Sequence, residues 1–233
     1  MKRFLATLLV AVAVLSCLSA CRNKAGEPVE PKVETGDLLF IGIPMNYGED
    51  TMAAAIADAT SKGDSVNFIH TAILEVDSLG AIWVIDATLA HGVDRHPLDT
   101  LLADFTLHTP GAVETFEVWR VKDNWDAERW VAQAKKMVGE PYDVYFKPSN
   151  ERHYCTELVY DAYVDADGTP LFEAVPMNFK NKEGMMPEYW TQLFASLGEE
   201  VPQGVPGTNP QMMRESPILV KVLSWTVQTP ENE

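Results

Sequence analysis

Apolar positions along the chain change their period several times, and each change predicts an element. The continuous run from Leu38 to Ile43, just after Gly36-Asp37, reads as a short buried strand. Thr51 to Thr60 is alanine-rich and reads as a helix with Asp50 as its N-cap. Phe68 to Val76 and Ile82 to Thr88 are rich in β-branched and aromatic residues and flank Asp77-Ser78-Leu79-Gly80, so together they predict a hairpin. A further strand is expected at Thr115 to Val121. The strongest helical period follows, with Ala127, Trp130, Val131, Ala134, Met137 and Val138 at three- and four-residue steps. Asp123 or Asn124 suits its start, Lys135 and Lys136 suit the negative end of its dipole, and Gly139 and Pro141 stop it. A second amphipathic helix begins near Cys155, which shares a stripe with Leu158, Val159, Ala162 and Tyr163. A short helix over Pro187 to Leu197 and a last strand near Ile218 to Trp225 complete an α+β domain.

The N-terminus obeys a different logic. Lys2 and Arg3 precede an apolar run from Phe4 to Leu15, too short to span roughly 30 Å of hydrocarbon, and Leu18-Ser19-Ala20-Cys21 follows. This predicts a signal peptide over residues 1–20. The final cysteine resembles a lipobox, which implies acylation of Cys21. Residues 21–35 are polar, carry Pro28 and Pro31, and read as a tether. Residues 36–233 are then one domain of ordinary size.

Charge narrows the partners. The net charge is −16, and residues 1–20 hold Lys2, Arg3 and no acidic side chain, so their removal takes it to −18. Such a surface is repelled by nucleic acid and by anionic headgroups, which leaves the N-terminal lipid as the expected membrane contact. The chain has three cysteines. With Cys17 removed and Cys21 acylated, Cys155 is the sole free thiol, and an unpaired thiol in an exported protein marks a reactive site.

A thiol attacks as thiolate, which a helix N-terminus and a neighbouring base both favour. Cys155 at the first turn of its helix has the former, and the unpaired N–H groups there can receive an oxyanion. A small buried hydrophobe on the stripe is the competing reading. Of five histidines, only His70 falls within a predicted strand, on a face with Phe68, Ala72 and Leu74. If the hairpin closes with Val76 opposite Gly80, His70 falls opposite Asp86, a carboxylate able to fix the ring tautomer. A slip of one residue pairs His70 with Ala87 instead. His91 and His96 flank Asp94 in a loop, a weak metal-ligand arrangement. His108 precedes Pro110 in a connection, and His153 lies too close along the chain to reach back to the Cys155 sulfur.

Taken together, Gly36-Asp37, His70, Val84-Ile85-Asp86-Ala87, Gly139-Glu140-Pro141-Tyr142-Asp143 and Tyr154-Cys155-Thr156-Glu157-Leu158-Val159 resemble the permuted papain-like enzymes of the YiiX and YaeF type, relatives of the NlpC peptidases. The resemblance spans most of the mature domain. It implies a circularly permuted papain-like fold, a small antiparallel sheet or barrel packed against the nucleophile helix, with the histidine and carboxylate ahead of the cysteine. It further implies an amide or ester hydrolase with Cys155 as nucleophile, His70 as base, Asp86 as orienting residue, Tyr154 near the oxyanion and Tyr142 shaping the cleft. Members of the family carry glutamate where Asp86 stands, so the side chain here is one methylene shorter.

The function expected on these grounds is cysteine-dependent hydrolysis of an amide through a thioester, with no cofactor. A cell-wall peptide, a peptidoglycan fragment or an acyl amide is the expected substrate, met in the cell envelope by a membrane-anchored lipoprotein. A catalytically silent protein that binds a peptide or acyl group on the same fold is the alternative, and metal-dependent hydrolysis through His91 and His96 is a third.

Overall fold

The computed structural model describes residues 32–44, 51–63, 65–106 and 113–228. The signal segment, Cys21 and tether residues 22–31 lie outside them, as do Asp50 and His108. A six-stranded antiparallel sheet organises the domain, in the order β4 (Gly92–Pro97), β3 (Ile82–Thr88), β2 (Val66–Val76), β1 (Leu38–Pro44), β5 (Val113–Val121), β8 (Leu219–Gln228). Its central strand β1 (Leu38–Pro44) pairs on one side with β2 (Val66–Val76) and on the other with β5 (Val113–Val121). Because both faces of β1 are covered, its sequence is a continuous apolar run rather than an alternation. Leu38 and Phe40 face a core that includes Trp130, Leu158 and Val159, whereas Leu39 and Ile41 face one that includes Leu101, Phe116 and Val118.

The first core is closed by α3 (Ala127–Lys136) and α4 (Cys155–Ala162), whose apolar stripes follow those read from the sequence except at Val138, which lies beyond the end of α3 and is exposed. The cap of α3 differs from expectation. Its N-cap is Asp126, while Asp123 and Asn124 occupy a preceding 3-10 turn with φ of 65° and 40°. Asn124 is held there by donating to the Thr35 carbonyl at 3.1 Å. Helix α1 (Met52–Thr60) begins where predicted, but Thr51 is its cap, accepting from Ala54 N–H at 3.1 Å. Helix α5 (Glu188–Leu197) buries Trp190 and Phe194 and stops at Gly198.

The β2–β3 hairpin joins the predicted strands, with β3 at Ile82–Thr88, but in another register: Val76 pairs with Ile82 and Ile73 with Ile85. The loop is two residues longer than the turn expected between Val76 and Gly80. Asp77 explains it, since its carboxylate accepts from the N–H groups of Leu79 (2.8 Å) and Ala81 (2.9 Å) and from the Trp83 indole (3.0 Å). A two-residue shift preserves which face each side chain occupies. A bulge in β2 is the other departure: Ile41 pairs with His70 but Gly42 with Phe68, which leaves Ile69 over. Phe68 therefore packs with Ile73 in the first core, away from Ala72 and Leu74 in the second. His70 sits where the faces exchange.

Beyond β3 the structure has two elements where the sequence suggested a loop. Strand β4 (Gly92–Pro97) pairs along β3, and α2 (Leu98–Thr106) packs Leu98, Leu101, Leu102 and Phe105 into the second core. Short strands β6 (Val175–Pro176) and β7 (Pro206–Gly207), helix α6 (Pro210–Arg214) and strand β8 (Leu219–Gln228) complete the described chain.

Residues 139–143 dock against the start of β4. Gly139 N–H donates to the Val93 carbonyl and Val93 N–H to the Glu140 carbonyl, each at 2.8 Å. Gly92 makes this approach possible: its φ is +70°, and a Cβ there would lie 2.3 Å from the Glu140 oxygen. Gly92→Ala should therefore cost more than the roughly 1–2 kcal/mol of a left-handed conformation alone. Gly80→Ala, at φ +84° with open space around it, should cost only that amount. Denaturant titration of the two variants separates the clash from the strain, and equal losses would contradict the docking.

Candidate active site

Cys155 is the first residue of α4, and Tyr154 before it is extended, at φ −87° and ψ 169°. Burial of Leu158, Val159 and Ala162 fixes this helix against the sheet, and with it the position of the sulfur. Cys155 is a free thiol, buried at 4% exposure. First-turn N–H groups have no partner within a helix, so the sulfur occupies the positive end of the α4 dipole. On the same turn Glu157 is nearly buried, its carboxyl 3.5 Å from Tyr154 N–H. Burial and the charges of Asp143 and Asp161 push it up to about 9. It is uncharged at neutral pH and does not oppose negative charge on the sulfur.

His70 and Asp86 meet although their strands do not pair them. Extending the observed register places Asp86 opposite Ala72, so His70 is its diagonal neighbour, within reach of long side chains. The contact is direct: His70 Nε2 lies 2.7 Å from Asp86 Oδ2, and Asp86 is 1% exposed. The shorter carboxylate thus reaches the ring. Phe105 of α2 covers the imidazole at 5.2 Å between centroids. With Nε2 engaged by Asp86, Nδ1 is the ring nitrogen left for the thiol, and Cys155 is among the groups whose electrostatics act on the ring.

Burial opposes a charged His70. The hydrogen bonds to Asp86 and Cys155, and the negative charge on both, outweigh it and raise the ring to about 10. Burial likewise opposes the charged form of Asp86, but hydrogen bonds from His70 and His96 hold it down at about 2. The arrangement is an imidazolium fixed between a carboxylate and a sulfur.

The remaining histidines are distributed otherwise. His96, on β4, reaches Asp86 Oδ1 at 3.0 Å from Nε2. His153 does not face Cys155: its Nε2 is 3.1 Å from Asp161 and its Nδ1 2.8 Å from Glu140. Its backbone clasps residues 141–143, with Asp143 N–H donating to the His153 carbonyl at 3.1 Å. His91 is exposed. Among the described residues no group of three or more His, Cys, Asp or Glu is arranged to hold a metal, and the His91-Asp94-His96 set does not converge as ligands. Strand pairing spends His96 on Asp86 instead.

An open cleft adjoins Cys155. Tyr142, Phe146, Tyr154, Met177, Phe179 and Trp190 are among its lining residues. Tyr142 is half-buried, its hydroxyl donating to Met52 Sδ at 3.6 Å, and loss of solvent around the hydroxyl together with the charge of Cys155 raises it well above the usual range. The Tyr154 hydroxyl accepts from Thr208 N–H at 3.0 Å, across the cleft wall. Asp37 is an internal ion-pair partner, fully buried and bound by Arg120 Nε at 2.6 Å and by Glu34 N–H at 2.8 Å.

Comparison with known proteins establishes the fold and the family. The profile of a family described as permuted papain-like amidase enzyme, YaeF/YiiX, C92 family, matches residues 32–223. The uncharacterized protein YiiX of Escherichia coli (strain K12) is 30% identical over 212 residues, 90% of this chain and 93% of the relative. A crystal structure of the metalloprotein yiiX from Escherichia coli O157:H7 has the same fold, with a TM-score of 0.62 at 23% identity, covering 82% of this chain and 96% of that one.

The charged pair carries a pH signature. Because His70 is held above its ordinary 6.5, its contribution to stability is complete below that pH and is lost as the pH rises through about 10. Asp86, held below its ordinary 3.8, contributes above that value and loses its share as the pH falls toward 2. The stability difference between wild type and His70→Ala should therefore be largest between pH 3.8 and 6.5 and shrink on either side. Urea midpoints of both proteins across the pH range check this, and a constant difference would contradict it.

Proposed function

Because the chain belongs to the permuted papain-like amidases of the YaeF/YiiX type, we propose that it hydrolyses an amide bond through a thioester on Cys155, with His70 as base and Asp86 as the residue that orients His70. The observation that carries this reading is the buried contact of His70 with the Asp86 carboxylate at 2.7 Å, with the free Cys155 thiol among the groups that act on the same ring.

Attack begins from the Cys155 thiolate and His70 imidazolium. The sulfur adds to the amide carbonyl, and the carbonyl oxygen takes the negative charge, which the first N–H groups of α4 receive. As the C–N bond breaks, the imidazolium gives its proton to the departing amine and a thioester remains. His70, now neutral, takes a proton from water as the hydroxide adds to the thioester. Collapse of that intermediate releases the carboxylic acid and restores the thiolate beside a protonated His70. Asp86 keeps the ring oriented and compensates its charge throughout, and accepts no proton.

The aromatic and methionine lining of the cleft suits a substrate with an apolar group beside the scissile bond. A cell-wall peptide carrying such a residue and an acyl amide both answer this description. Tyr142 and Tyr154 contribute to the wall. The chain acts in the cell envelope, with residues 1–20 removed and Cys21 carrying the lipid that holds it to the membrane.

Chain beginning at Arg22, offered peptidoglycan-derived peptides and N-acyl amides, should release amine from one of these classes. Cys155→Ser and Cys155→Ala should lower that rate by about a thousandfold or more while retaining the far-ultraviolet circular dichroism of the wild type. Undiminished hydrolysis in either variant would contradict the mechanism.

A further inference from the structure

We propose that His96 is a fourth member of this site, a positioning residue that holds the Asp86 carboxylate in the orientation His70 requires. The inference rests on the amidase reading and extends it to a strand, β4, on the far side of β3 from the base.

A carboxylate turns about a broad, two-fold torsion, so one hydrogen bond does not fix its plane. Asp86 has two, from opposite sides: His70 Nε2 at 2.7 Å on Oδ2 and His96 Nε2 at 3.0 Å on Oδ1. Asp86 is 1% exposed, so an oxygen without a donor would be left buried and bare. Strand pairing delivers His96 to this place, because it lies opposite Val84, two residues from Asp86 along β3 and on the same face.

Charge supports the same role. His96 Nδ1 lies 3.2 Å from the Pro97 carbonyl and Nε2 faces the carboxylate, and both partners are acceptors only. Two acceptors demand two protons, so His96 is itself an imidazolium. Directly opposite Asp86 on β4 stands a second acid, Asp94, whose Oδ1 takes Arg95 N–H at 2.7 Å. His96 supplies the positive charge that lets two acids face each other across the ladder. With Asp86 shared between two rings, the positive charge of His96 offsets Asp94 and leaves the Asp86 carboxylate to compensate His70. Without His96 that charge is lost and the carboxylate is free to turn away from His70.

The test uses the chain from Arg22, in which Cys155 is the remaining thiol, and iodoacetamide as the probe at pH 7. His96→Ala should alkylate about tenfold more slowly than wild type, the scale of losing one charge-assisted hydrogen bond. His96→Gln keeps a donor for Oδ1 and should recover much of the loss, and a similar melting temperature in both variants ties the difference to the site rather than to folding. His70→Ala is the control for the underlying reading. If it alkylates as fast as wild type, the amidase reading falls and this inference with it. A slow His70→Ala beside a His96→Ala as fast as wild type overturns the inference alone, as does a His96→Gln no faster than His96→Ala.

Discussion

The hydrogen bond from His70 Nε2 to Asp86 Oδ2 is the contact on which the rest of the site depends. It joins two ionisable groups, 7% and 1% exposed, that would each be costly to bury alone. Together they form a charged pair that leaves Nδ1 of the ring for the sulfur and directs Oδ1 of the carboxylate toward His96. The sheet order makes this possible, since β4, β3 and β2 are adjacent and bring His96, Asp86 and His70 from successive strands. The bulge at Ile69 contributes by exchanging the faces of β2 beside His70, a common way for a strand to re-aim a functional side chain.

Helix α4 meets this pair at the correct place because two systems fix it. Its stripe of Leu158, Val159 and Ala162 is buried in the core beneath the sheet. Ahead of it, residues 139–143 are pinned to β4 by the Gly139 and Val93 hydrogen bonds and to His153 by the Asp143 hydrogen bond. Asp143, fully buried, then orders the following turn by accepting from Tyr145 N–H at 2.9 Å and Lys147 N–H at 2.8 Å. The conspicuous Gly-Glu-Pro-Tyr-Asp segment is in these terms a brace between the strand that carries His96 and the helix that carries Cys155. Packing and chemistry are coupled through it.

Much of this was legible in the sequence where local physics dominates. The apolar run of β1, the stripes of α3 and α4 and the β-branched strands of the hairpin are elements whose burial pattern is set by period alone. The meeting of His70 with Asp86 was legible in outline, though for an inexact reason. A direct cross-strand pair was expected, and a diagonal one is found, because Asp77 widens the loop by two residues and parity is preserved. The placement of Phe68 on the His70 face failed at the Ile69 bulge, which leaves no mark in a hydrophobic pattern. His96 reads from sequence as a weak metal-ligand candidate rather than a partner of Asp86, because Gly92 to Pro97 is short, polar and ends in proline and so reads as a loop, and only pairing with β3 makes it a strand. Leu98, Leu101, Leu102 and Phe105 do carry a helical period that identifies α2.

The central claim is that His70 is kept as a cation by Asp86 on one side and Cys155 on the other. The ring nitrogen resonances of His70, followed by nitrogen-15 NMR against pH in protein selectively labelled at histidine and assigned with His70→Ala, report this state directly. The account predicts both nitrogens protonated at pH 8, with titration only near 10. A neutral ring at that pH, titrating near the ordinary 6.5, would contradict it.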